Sequence, residues 1–136
     1  MGRILAIDYG KKRTGLAVSD PLQIIATGLR TVESEKLIWF LKDYFLREAV
    51  DVIVLGYPLH LDGTPTDITA KVEKLNQQLR KLFQDKEVVL ADERFTSKMA
   101  EQVIRESGLK QSARRNKALV DEVSATILLQ DYLRSR

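Results

Sequence analysis

The stretch Arg3 to Gly15, RILAIDYGKKRTG, decides the fold. Ile4, Leu5, Ala6 and Ile7 form a short continuous apolar run, the pattern of a central strand buried on both faces rather than of a half-exposed edge. Asp8 ends that run. A buried carboxylate is costly, so Asp8 must meet a cation, a set of donors or a metal, or else accept hydrogen bonds within the turn that follows. Gly10 and Gly15 bracket Lys11, Lys12 and Arg13, a basic tight turn into a second apolar run, Leu16-Ala17-Val18.

Outward from this hairpin, Ser19-Asp20-Pro21 signals a turn, and Gln23 to Val32 is rich enough in β-branched residues for a third strand, completing an antiparallel meander. Ser34 is placed to cap a helix whose stripe is Leu37, Ile38, Leu41, Tyr44 and Phe45. Val50 to Leu55 is another continuous apolar run, stopped by Gly56 and Pro58, and follows that helix as a parallel strand would. Tyr57 to Pro65 reads as a loop. Thr66 is placed to cap a second helix carrying Ile68, Val72, Leu75, Leu79 and Leu82 on one side. Val88 to Ala91 reads as a fifth buried strand, ending in Asp92-Glu93-Arg94. A third helix is expected from Thr96 or Ser97 to near Gly108, and a last one from about Asn116 to Leu133.

Right-handed crossovers lay the later strands beside the first. The expected architecture is an α/β fold with a five-stranded mixed sheet of order 3-2-1-4-5, strand 2 antiparallel, and helices on both faces. With 136 residues, no repeat and no linker-like stretch, residues 1–136 are expected to form a single domain. Hydrophobic residues make up 44% and charged residues 30%, a globular balance without a disordered signature. The absence of cysteine excludes a disulfide framework and a thiolate metal site. No run reaches membrane-spanning length, and the first apolar run is too short for a signal sequence, so a cytoplasmic protein with no membrane partner is expected. Net charge is only +3, but Arg105, Lys110, Arg114, Arg115 and Lys117 are opposed within their stretch by Glu106 alone. Such a cluster is either a phosphate footprint or a solvated linker.

Ligands of open α/β sheets bind at the carboxyl edge of the parallel strands. Three features meet there: Asp8 after the first strand, the loop GYPLHLDGT after the fourth, and Asp92-Glu93-Arg94 after the fifth. A further acid can join from the last helix, where Asp121 shares its face with Ala125, Leu128 and Tyr132. Glu122 also has apolar neighbours at helical spacing, so periodicity leaves the choice between them open. Carboxylates without thiolates suit a hard cation such as Mg²⁺ or Mn²⁺, and with it metal-assisted attack on phosphate. The alternative is structural: the same acids capping helices or pairing with Arg13, Arg94 and Arg115.

Four motifs in this order, ILAIDYGKKRTGLAVSD, GYPLHLDGT, ADERFTS and LVDEVSATILLQDYL, give the chain a resemblance to the YqgF/RuvX family, nucleases similar to Holliday-junction resolvases with a ribonuclease H-like fold. The resemblance runs nearly end to end. It implies Asp8, Glu93 and Asp121 as a catalytic, metal-binding set, with Arg13 and Arg94 at positions suited to holding phosphate as bidentate forks. It implies Mg²⁺ or Mn²⁺ as cofactor and a nuclease acting on the 5′ end of precursor small-subunit (16S) ribosomal RNA, with ribosomal particles as further partners. Branched DNA is the alternative substrate. Lys11, Lys12, Arg114 and Arg115 complete the expected nucleic-acid contacts. A binding module that lost catalysis is a second class, and an actin-like ATPase a third, disfavoured because that architecture needs two such domains. His60, in a Pro/Gly-punctuated loop, is expected to be solvated, and Trp39, beside the first helix's stripe, to pack rather than stack on bases.

Overall fold

Strand β1 (Arg3–Tyr9) runs through the middle of the sheet. The computed structural model describes residues 2–94, 96–106 and 117–136. Along them follow β2 (Arg13–Ser19), β3 (Ala26–Glu33), a 3₁₀ turn (Ser34–Lys36), α1 (Leu37–Arg47), β4 (Val50–Tyr57), α2 (Thr69–Leu82), β5 (Glu87–Asp92), α3 (Thr96–Glu106) and α4 (Lys117–Ser135). The strand order is β3-β2-β1-β4-β5, with β2 antiparallel to both neighbours and β4 and β5 parallel to β1. The order, the direction of the second strand and the two-sided helical cover all agree with the expectation from the sequence.

Alternation along β1 divides the core in two. Leu5 and Ile7 face one layer with Leu55, with Leu37, Phe40, Leu41 and Tyr44 of α1, and with Val72, Leu75 and Leu79 of α2. Ile4 and Ala6 face the other, with Ala17, Val54 and, from α4, Ala125, Leu128 and Leu129. The small side chains of the second layer let α4 lie close to the sheet. That closeness positions the site.

Several local expectations are corrected. β3 starts at Ala26 rather than Gln23, after a loop that Asp20 ties down by accepting from the backbone N–H groups of Ile24 and Ile25. Ser34 caps no helix. Its buried hydroxyl instead donates to the Gly10 carbonyl and pairs with Thr14 Oγ1 at 2.8 Å, while its N–H donates to the Lys12 carbonyl at 2.9 Å. The second helix begins at Thr69, with Thr66 Oγ1 bonded to Thr69 Oγ1 one turn ahead of it. β5 is an edge strand, and Leu90 is 40% exposed where a fully buried strand was expected. Trp39 is 72% exposed: it lies two residues past Leu37, about 200° around the helix from the face that packs. Among the described residues no helix is long and apolar enough to cross a membrane.

Candidate active site

Strand parity selects which side chains meet at the carboxyl edge. Asp8 follows Ala6 on the face that α4 covers; Gly56 follows Val54 on the same face; Glu93 follows Ala91. Ala6 pairs with Val54 and Gly56 with Ala91, so the three positions lie side by side across β1, β4 and the end of β5. Glu93 extends the ladder by one step, its N–H donating to the Tyr57 carbonyl at 3.3 Å. Its side chain then crosses the strand ahead of it. A Cβ at position 56 would collide with Glu93 Oε2 and stand 3.1 Å from Leu128 Cδ2, so only glycine leaves the carboxylate room to pass. It reaches Asp8, with which it shares a side-chain hydrogen bond.

The two carboxyls perturb each other. Burial, first, and then the Asp8 charge push Glu93 up to about 10; burial, with a smaller push from Asp121, raises Asp8 to about 6, although the bond from Glu93 works the other way. At neutral pH the pair therefore holds one proton between its two carboxyls. Glu93 Oε2 is buried and has no hydrogen-bond partner among the described residues. An orphaned buried oxygen of this kind costs on the order of 1–3 kcal/mol.

Asp121 arrives from α4. Asp8 pairs across the hairpin with Gly15, and a Cβ on Gly15 would run into the Asp121 backbone carbonyl. The first turns of α4 thus rest directly on the strand opposite Asp8. Asp121 points toward the basic turn, where Arg13 Nε donates to its Oδ2 at 2.9 Å, both side chains partly exposed. Glu122 instead packs its carboxylate against Gly28 of β3, away from Asp8.

The turn itself is pinned from behind by Ser34, which leaves its cations facing outward. Gly10, Lys11, Lys12 and Arg13 line a cleft of about 490 Å³ with Asp67, Ile68, Lys117 and Asp121. Lys11 pairs with Asp67, and Lys12 is exposed. The sequence offers Lys117 only as the last member of the basic cluster, not beside the acids. The signal was available: it precedes Asp121 by one helical turn and so shares its face. Arg94 stands elsewhere, held by the exposed Asp92 through its Nε at 2.8 Å and its backbone N–H at 2.9 Å, and leaning to the Leu61 carbonyl of the 57–65 loop. His60 is exposed in that loop. Arg114 and Arg115 lie outside the described residues.

The sequence profile of a family described as RuvX, Holliday junction resolvase, matches residues 2–135. The chain belongs to the RuvX family. The resemblance drawn from its four motifs is borne out. Among relatives, a protein of Flavobacterium psychrophilum described as "Putative pre-16S rRNA nuclease" is 54% identical over 133 residues, 98% of this chain and 97% of its own length. One from Flavobacterium johnsoniae with the same description is 50% identical over 136 residues, 100% of this chain and 99% of its own. Among solved structures, the fowlpox virus Holliday junction resolvase superposes with a TM-score of 0.59 over 98% of this chain and 99% of that one. At 14% identity that likeness speaks for the shared fold.

Membership of the RuvX family implies a divalent ion, and the donor set fits one. Asp8 and Glu93 offer hard oxygen ligands in contact, and the unpartnered Glu93 Oε2 is the kind of atom a cation satisfies. Among the described residues, however, no three acidic or histidine side chains are spaced to share a single ion. Asp8 and Glu93 form the contact pair, and Asp121 stands aside on Arg13.

Proposed function

We propose that this RuvX family member is a metal-dependent nuclease that hydrolyses phosphodiester bonds in the cytoplasm, during maturation of the 5′ end of precursor 16S ribosomal RNA. The observation that carries this reading is the half-buried Asp8–Glu93 pair, two carboxyls brought together at the carboxyl edge of the sheet beside a cleft lined by Lys11, Lys12, Arg13 and Lys117. Holding two carboxyls in contact opposes stability, because the pair must keep a proton at neutral pH. Asp8, Glu93 and Asp121 would hold Mg²⁺ or Mn²⁺, which supplies charge neutralisation at the scissile phosphate and an activated water. The protein's own contribution is positional. The cations of the turn bind the phosphate backbone without reading bases, and α4 closes the sheet face behind the acids.

The names carried by the two flavobacterial relatives support precursor ribosomal RNA as the substrate. A cleavage assay with Mg²⁺ or Mn²⁺ on precursor ribosomal RNA, plain single strands and branched DNA, with Asp8→Asn as control, tests the proposal. Cleavage of the precursor that disappears in Asp8→Asn is the expected result. Cleavage surviving that substitution rejects the site, and exclusive cleavage of branched DNA rejects the substrate.

A further inference from the structure

The ion pair between Arg13 and Asp121 joins two parts of the molecule that the proposed chemistry would use separately. Arg13 belongs to the basic turn that faces phosphate, and Asp121 to the acidic set. Their contact is a single bond, Nε to Oδ2 at 2.9 Å, between side chains 38% and 26% exposed. A pair this accessible holds weakly, whereas a phosphate offers the guanidinium a charge-assisted, bidentate partner. The pair also forms part of the wall of the cleft that Lys11, Lys12 and Lys117 line. A phosphate drawn there by those lysines meets Arg13 directly.

Asp121, in turn, is fixed at its main chain and tied at its side chain to Arg13. The Gly15 contact sets its backbone against the strand opposite Asp8, close enough that its charge acts on Asp8. Release from Arg13 then needs only rotation about side-chain bonds, with no movement of α4. As they stand, the acids do not form a three-ligand group among the described residues.

Building on the nuclease reading, we infer that Arg13 is a positioning residue that exchanges Asp121 for a backbone phosphate of the bound nucleic acid, so that substrate binding frees Asp121 to complete the metal site with Asp8 and Glu93. Metal and nucleic acid then strengthen each other's binding, by the same factor in both directions. The acids assemble fully only when a strand is present.

The test measures Mn²⁺ affinity by titration calorimetry, with and without a phosphorothioate oligoribonucleotide, in wild type, Arg13→Gln, Asp121→Asn and Asp8→Asn. In wild type the oligonucleotide should tighten Mn²⁺ by at least about fivefold. Arg13→Gln should reach that tighter affinity without oligonucleotide and gain little from adding it. Asp121→Asn should bind weakly in both conditions. Mn²⁺ recruited merely by the added phosphates would tighten equally in all of these proteins. Coupling retained at wild-type strength in Arg13→Gln or Asp121→Asn overturns the exchange, as does an uncoupled wild type whose Mn²⁺ binding Asp8→Asn abolishes. No Mn²⁺ binding by wild type under either condition rejects the metal reading itself. Should Arg13→Gln not fold, Arg13→Lys keeps the charge without the planar fork and is expected to weaken the coupling; full coupling there counts against the exchange.

Discussion

Replacing Glu93 with Gln should stabilise the metal-free protein at neutral pH while removing its cleavage activity. In the unfolded chain a glutamate releases its proton near 4.5, but burial and the neighbouring Asp8 push Glu93 up to about 10 in the folded state. Between those values the folded protein binds the extra proton, so stability is fully present below pH 4.5 and is lost as pH rises toward 10. Holding that proton at pH 7 costs roughly 3–4 kcal/mol, at about 1.4 kcal/mol for each pH unit above 4.5. Glutamine matches the shape, can still donate to Asp8, and does not titrate. Glu93→Gln should therefore equal wild type near pH 4.5, gain about 1.4 kcal/mol per pH unit above it, and melt roughly 10 °C higher at pH 7. Urea unfolding in EDTA from pH 4.5 to 8 measures the gap directly. Mg²⁺ should then narrow it, because the ion supports only the protein that keeps both carboxylates. A gap that does not change with pH, or a wild type more stable than the variant at pH 7 in EDTA, would refute the account of the pair.

The other expectations concern how the site is held. Gly56→Ala places a methyl group where Glu93 Oε2 now lies and 3.1 Å from Leu128 Cδ2, so it should cost about 1–3 kcal/mol in denaturant unfolding and displace Glu93, abolishing cleavage. Gly15→Ala meets the Asp121 backbone rather than a flexible side chain; thermal melts should show a larger loss than for Gly56→Ala, because α4 itself must shift. Lys117→Ala should weaken nucleic-acid binding uniformly across sequences and reduce the slope of log affinity against log salt by about 1, which filter binding at several salt concentrations reads out.

The sheet was legible because its signals are local. Ile4–Ile7 and Val50–Leu55 are unbroken apolar runs, and only central strands of a doubly covered sheet demand them. Val88–Ala91 carries the same signal yet lies at the edge, where Leu90 is left partly exposed; position in the sheet order is not written in a strand's own residues. The helix cap expected at Ser34 fails for a related reason. The residue type suits a cap, but a hydroxyl is equally satisfied by the Gly10 carbonyl and Thr14, and that choice depends on a hairpin some twenty residues earlier.

At the site the sequence narrowed the acids to a few and left pairs of neighbours open. Parity resolves one pair: Glu93 shares the face of Ala91 under α4, while Asp92 turns out to solvent and binds Arg94. Close packing resolves the other, since the helix lies on Gly15 and Gly28 in a way that sends Asp121 toward Arg13 and Glu122 toward β3. Both answers required knowing which face α4 covers, a contact between residues more than ninety positions apart. The consequence reaches beyond assignment. Gly56 leaves room for Glu93 to reach Asp8 and Gly15 lets the α4 backbone rest on the strand, and of the three acids Asp121 alone holds a cationic partner in a salt bridge among the described residues. A constellation built this way keeps a carboxyl pair protonated at one edge of an otherwise well-packed sheet, and a bound cation that displaced the proton would relieve that cost.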